Sequence, residues 1–243
     1  MNMKKETLWG AVCVLLTALA LLPLVLPSHP WPALVRDTLA IRGYDDTGAP
    51  NLVAAMYLGY RAYDTLGELV VLLAALTAAI GLIRKTGAAP LPREEGASKK
   101  THTEIINVTA GKLSPMVLLF GWYLMFYGYQ SPGGGFQGGV VLASGIIFIA
   151  LGRREEWVGR LNVRRYDASS ISLGWIEAVS FLMILLLCIA GPLRGFSILE
   201  NPFPGKEGFH PAFYITGFNI CIGLKVGSGI AMACLFMMEK SND

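Results

Sequence analysis

"FYITGFNICIGLKVGSGIAMACLFMM", residues 213–238, carries one ionisable side chain, Lys225, in an otherwise uncharged run. A hydrocarbon core of about 30 Å takes about 20 mostly apolar residues as a helix, so this stretch predicts a membrane-crossing helix. The run is continuous, whereas a barrel strand would alternate apolar and polar residues. Two further stretches read the same way. Residues 8–27 (LWGAVCVLLTALALLPLVLP) hold no charge, and 174–193 (GWIEAVSFLMILLLCIAGPL) hold one, Glu177. Charged residues make up 15% of the 243-residue chain, against about 25% in soluble domains. The expected fold class is all-α: an integral membrane protein with about six spans, near 8–27, 51–84, 106–129, 135–152, 174–193 and 211–238.

The second span is too long for one upright helix. It reads either as an interfacial piece (NLVAAMYLGYRAYD) leading into TLGELVVLLAALTAAIGLI, or as one tilted helix. With both termini inside, the outside segments hold four of the 20 Lys and Arg: Arg36, Arg42, Arg194 and Lys206. Arg61, Lys112 and Lys225 lie within spans, which leaves thirteen inside. That excess predicts an N-in, C-in topology. The start of the chain resembles a signal peptide in its basic residues and apolar run. The run exceeds the usual 7–15-residue core (roughly), and prolines crowd the cleavage position, so a retained first helix is expected. Residues 85–104 (KTGAAPLPREEGASKKTHTE) read as a polar cytoplasmic linker between a two-helix part, 1–84, and a four-helix part, 105–243. The loop 194–210 reads as an ordered cap or as a simple connector.

Between the third and fourth spans stands SPGGGFQGG, 131–139. Pro132 is expected to stop a helix. Gly133, Gly134 and Gly135 permit a reversal within a few residues. Gly138 and Gly139 then begin a helix that another backbone can approach closely. Gly223 and Gly227 form a GxxxG in the last span and point to the same kind of contact.

Ionisable residues inside a span cost several kcal/mol unless paired or wetted (roughly), which makes each a candidate for function. Arg61, Asp64 and Glu68 are spaced i, i+3, i+7 and share one helical face. The stripe suits either cation and proton passage, with Glu68 deepest, or an ion pair that locks helices together. Lys225 lies too deep to snorkel and reads as a proton carrier or as a structural lysine paired with an acid or with backbone carbonyls. Glu177, near the inner end of the fifth span, reads as a headgroup contact or a further relay. Lys112 reads as a snorkelling anchor. His210 can exchange protons near neutral pH or lie idle at the surface.

Other chemistry finds little support. The four cysteines fall in apolar runs without metal-ligand spacing, and His29, His102 and His210 lie in connecting segments, so no metal, haem or other cofactor is expected. PGGGFQGG lacks the lysine and Ser/Thr of a phosphate loop. A net charge of +3 is explained by topology and gives no reason to expect a nucleic-acid partner. The chain is not expected to be an enzyme, and any redox chemistry is assigned to partners.

The segment 113–152, with SPGGGFQGGVVLASGIIFIAL after an aromatic-rich helix, resembles the MnhB-like subunit of the Mrp-type multisubunit sodium/proton antiporters and counterpart subunits of membrane-bound hydrogenases. The resemblance extends over roughly 105–238. Separately, NLVAAMYLGYRAYDTLGELVVLLAAL, 51–76, is similar to the C-terminal tail of the large Mrp subunit. In the hydrogenases the counterpart of that tail is a small protein of its own. Together they imply a fusion of two neighbouring modules in the prokaryotic cell membrane. The implied partners are the other subunits of such a complex, with Na+ and H+ as cargo. The implied role is in cation/proton translocation, carried by Glu68 with Asp64 beside it. The alternative is a scaffold role in a hydrogenase or formate hydrogenlyase-type complex.

Overall fold

The computed structural model describes residues 15, 34–86, 104–152, 164–203, 210 and 212–240. The expected first span, 8–27, lies outside them apart from Leu15, as does most of the expected linker. Two compact units emerge, Met1–Thr38 and Leu39–Asp243. In the first, the described residues are Leu15 and the opening turn of helix α1 (Leu34–Thr47), where Arg36 pairs with Asp37 at 2.9 Å. Everything that follows concerns the second unit.

Among the described residues every regular element is helical. After α1 come a single turn α2 (Leu52–Ala54), a π-helical segment (Ala55–Tyr60), α3 (Ala62–Thr86), α4 (Glu104–Phe126), α5 (Gly135–Gly152), α6 (Arg164–Leu193) and α7 (Ala212–Lys240). Five of these helices are long and apolar enough to cross a membrane: Ala62–Leu82, Val108–Phe126, Gly135–Gly152, Ser172–Leu193 and Ala212–Met238. The chain is an all-α, multi-pass membrane protein.

The long second stretch is broken at Arg61: a short piece, 51–60, precedes α3, whereas the sequence offered a piece over 51–64 or one tilted helix. Asn51 caps the short piece, its side-chain oxygen accepting from Val53 N at 3.1 Å. Its amide nitrogen donates to the carbonyls of Gly128 and Ser131 at 3.0 and 2.9 Å, which ties this piece to the hairpin between α4 and α5. The π-segment closes where Arg61 N reaches back to Met56 O at 2.8 Å. One residue is thereby inserted into the helical ladder, and the freed Tyr57 carbonyl accepts from the Thr65 hydroxyl at 2.7 Å. Helix α1 was not anticipated. It meets this piece through small contacts: a β-carbon on Gly59 would come within 2.6 Å of Thr47 Cγ2.

The hairpin is tighter than proline alone predicts. Helix α4 ends at Phe126, ahead of Pro132, because Gln130 N and Ser131 N both turn back to the Tyr127 carbonyl. Gly134 has φ +148° and lies against the Tyr57 hydroxyl, so a side chain there meets strain and collision together. Gly135 already belongs to α5.

Helix α7 is the centre of the bundle. It packs on α3, α4, α5, α6 and the π-segment, and half of its most apolar stretch is buried, far more than of the corresponding stretch of α3. Lipid tails are as apolar as leucine, so close backbone packing must supply much of the association. Gly135 and Gly139 of α5 face Gly223 and Gly227 of α7. A β-carbon on Gly139 would stand 2.7 Å from the Gly223 carbonyl, and one on Gly227 would stand 3.0 Å from the Gly139 carbonyl. Around this contact Leu58, Leu69, Ile184, Ile215, Phe218, Ile222 and Val226 form the core. At the hairpin end, residues 194–203 fold back as an ordered cap. Leu199 N donates to the Cys188 carbonyl at 3.2 Å, and the Arg194 guanidinium lies 4.7 Å from the Phe203 ring centre.

Gly139→Ala must push two backbones apart, a cost of about 1–3 kcal/mol. It is expected to lower the thermal midpoint of the purified protein in detergent. Gly174→Ala, with nothing within 4 Å of its added carbon, is expected to keep that midpoint or raise it slightly.

Candidate functional site

Lys225 sits at the midpoint of the span Ala212–Met238 and is 0% exposed. The glycine contact brings α5 against one side of α7, and Lys225 leaves by another side, between α3 and α6. Its ammonium donates to the main-chain carbonyl of Leu69 at 3.2 Å and stands 3.6 Å from Glu177 Oε1. Glu177 does not reach outward to headgroups: it is 8% exposed and turned into the bundle. It fits because Gly229 leaves room; a β-carbon there would stand 3.0 Å from Oε1. That oxygen has no hydrogen-bond donor within reach. Lys225 and Glu177 are thus an electrostatic pair without a hydrogen bond, and Ser228 bonds the Leu224 and Lys225 carbonyls beside them.

The acidic stripe lies elsewhere. Arg61 and Asp64 form an ion pair, and both are more than half exposed. Glu68, six residues into α3 and so about 9 Å along it, is also exposed. Among the described residues, the stripe therefore faces away from the helices of the second unit. The structure joins Lys225 to Glu177 and Arg61 to Asp64, and it puts Glu68 in neither pair.

A second buried polar node was not anticipated. Asn219 is 0% exposed, and its oxygen accepts from the Tyr57 hydroxyl at 3.1 Å and from Gly135 N at 2.9 Å. Because Gly135 N can only donate, the amide orientation is fixed, and Nδ2 is left without an acceptor. The sequence signal was present: Asn219 is the one amide side chain in the span 213–238. This node gives the hairpin glycines their place, joining α5, α7 and the π-segment.

Near it a cavity of about 490 Å³ is lined by Asp45, Asp46, Tyr60, Glu200 and Tyr214, among others. The Tyr60 hydroxyl donates to Asp46 at 2.5 Å. Partial burial, and then the neighbouring carboxylate, push its pKa up to about 12. His210 is exposed and its Nδ1 accepts from Ala212 N at 3.2 Å, which makes it a cap on α7. Lys112 is exposed on α4.

The family model described as a domain related to the MnhB subunit of the Na+/H+ antiporter matches residues 105–232. An uncharacterized protein of Methanocaldococcus jannaschii is 30% identical over 77% of each chain. A probable K+/H+ antiporter A/B subunit of Rhizobium meliloti is 25% identical over 63% of this chain and 17% of its own length. The chain thus spans less than a fifth of that curated antiporter relative. Two solved structures share the fold. One is a chain of the membrane-bound sulfane sulfur reductase, an archaeal respiratory membrane complex (TM-score 0.64, 24% identity, 97% of this chain and 98% of that one). The other is a chain of the Mrp complex from Dietzia sp. DQ12-45-1b (TM-score 0.72, 21% identity, 98% of this chain and 26% of that one).

Removing one partner of a buried ion pair costs about 3–5 kcal/mol, whereas replacing both by apolar groups is often close to neutral. Glu177→Ala is therefore expected to lower the thermal midpoint sharply. The double change Glu177→Met with Lys225→Met is expected to recover most of the loss.

Proposed function

The chain belongs to the family of domains related to the MnhB subunit of the Na+/H+ antiporter, and from that premise we propose that it is a membrane subunit of a multisubunit monovalent cation/proton antiporter module. The observation that carries the reading is Glu68, a carboxylate exposed on the apolar span Ala62–Leu82. Such a group is too costly to leave against lipid. Its side of α3 must meet a polar group or a hydrated path, and a carboxylate there offers a coordination point for a monovalent cation or a proton.

In this reading Glu68 takes the cargo ion, Asp64 stands beside it toward the hairpin end, and Arg61 holds Asp64 in place. The ion passes along the outer side of α3, between this chain and a neighbouring subunit. Lys225 and Glu177 are the buried charges on the inner side. The chain performs no catalytic chemistry of its own, needs no cofactor, and works in the prokaryotic cell membrane with the other subunits of its complex. The likeness over nearly the full chain to a component of a respiratory complex supports a second reading, in which the chain is a scaffold of a redox-driven membrane complex. The Lys225–Glu177 pair then serves only to lock α6 against α7.

Glu68→Gln decides between them. The antiporter reading predicts that cation-dependent proton exchange in everted vesicles falls to background while the subunits still co-purify. Exchange that survives in the variant complex overturns it and leaves the scaffold.

A further inference from the structure

The hydrogen bond from Lys225 falls on a particular carbonyl. Leu69 follows Glu68 directly in the chain, so the buried ammonium grips the inner side of the turn whose outer side carries the exposed carboxylate. A carbonyl in mid-helix already accepts from the N–H four residues on. A second, charge-assisted donor from a neighbouring helix fixes that helix in rotation and along its axis. At this level α3 is otherwise held by the Thr65 hydroxyl on the Tyr57 carbonyl and by the apolar contacts of Leu66, Leu69 and Leu72, none of which is charged. Leu69 itself is 0% exposed and packs in the core, whereas Glu68, Gly67 and Val70 around it are exposed.

The position of the ammonium is set from its other side. Glu177 on α6 is the carboxylate that faces it, 3.6 Å away and without a hydrogen-bond donor of its own. Helix α3 offers Lys225 a carbonyl, and α5 meets this level of α7 with Gly139. The ammonium therefore stands between a carbonyl that it bonds and a carboxylate that it attracts but does not bond. A small shift toward one lengthens the contact with the other.

We propose that Lys225 is a positioning residue for Glu68: through the Leu69 carbonyl it sets the register of the α3 turn that presents the carboxylate, and Glu177 sets how firmly it does so. This rests on the antiporter reading for the role of Glu68, but its geometry can be tested without transport. Dicyclohexylcarbodiimide labels carboxyl groups in apolar surroundings, and the Glu68 adduct can be quantified by mass spectrometry in the assembled complex. Two quantities are read: the labelling rate without cargo cation, and the Na+ concentration that halves it.

Lys225→Met removes the donor and keeps most of the length of the side chain. It is expected to move both quantities by roughly tenfold or more, the lower end of the scale of one hydrogen bond to a charged group. Glu177→Gln withdraws the competing charge with little change of shape and is expected to move them by less. It carries the test should the lysine variant fail to assemble. Lys225→Arg, which keeps a cationic donor, is expected to lie nearer the unsubstituted complex than Lys225→Met. A purely structural pair changes how much complex assembles and leaves both quantities unchanged in whatever does assemble. Equal rates and midpoints in the assembled variants overturn the proposal. Labelling of Glu68 that Na+ does not slow in the unsubstituted complex overturns Na+ as the ion held at Glu68. The cation-free rate still decides the role of Lys225 in that case.

Discussion

Four glycines, two on α5 and two on α7, set the distance between the two helices, and most of the buried chemistry depends on that distance. With Gly135 and Gly139 against Gly223 and Gly227, backbone meets backbone. Helix α7 can then sit at the centre of the bundle with half of its most apolar stretch buried. In lipid there is no water to expel from between apolar helices, so such contacts, with a few hydrogen bonds, must hold the bundle together. The same packing keeps Asn219 and Lys225 in protein and out of the lipid.

Burying a lysine at the middle of a span has consequences for its neighbours. The charge needs a counter-charge and acceptors, and the bundle supplies one of each: Glu177 across from α6 and the Leu69 carbonyl across from α3. Gly229 is what lets the carboxylate in. The hairpin end follows a similar logic. Asn219 joins the start of α5 to Tyr57, while Asn51 joins the start of the 51–60 piece to the hairpin carbonyls. The hairpin glycines are thus a turning and packing device, and the exposed acidic stripe on α3 is the part of the described surface that asks for a partner.

Much of this was legible in the sequence. Long uncharged runs announce membrane helices without any need for tertiary context, because the bilayer sets both their length and their composition. The GxxxG at Gly223 and the glycines of SPGGGFQGG declared close approach, although not that they would meet each other. Helix α1 escaped notice because its residues, LVRDTLAIRGYDDT, mix charge with scattered apolar positions, and its buried side is made of Gly43 and Thr47. The π-segment could not be read, since it arises from where Tyr57 and Arg61 must go in three dimensions. Glu177 was legible as an acid in a span, but its direction depends on Gly229, a residue 52 positions away in another helix. For Glu68, facing could not be read from the sequence. Spacing places Arg61, Asp64 and Glu68 on one side of a helix and leaves open which side the bundle covers.

The central claim is that the cation chemistry of this chain lies on its outer side, at Glu68, where a second subunit completes the site. The most direct measurement is a high-resolution cryo-EM structure of the intact complex purified from native membrane. Glu68 is expected to lie within hydrogen-bonding distance of a polar side chain, a bound cation or ordered water held by a neighbouring subunit. Lipid acyl chains packed against Glu68, with no polar group from any other chain of the complex nearby, would contradict it.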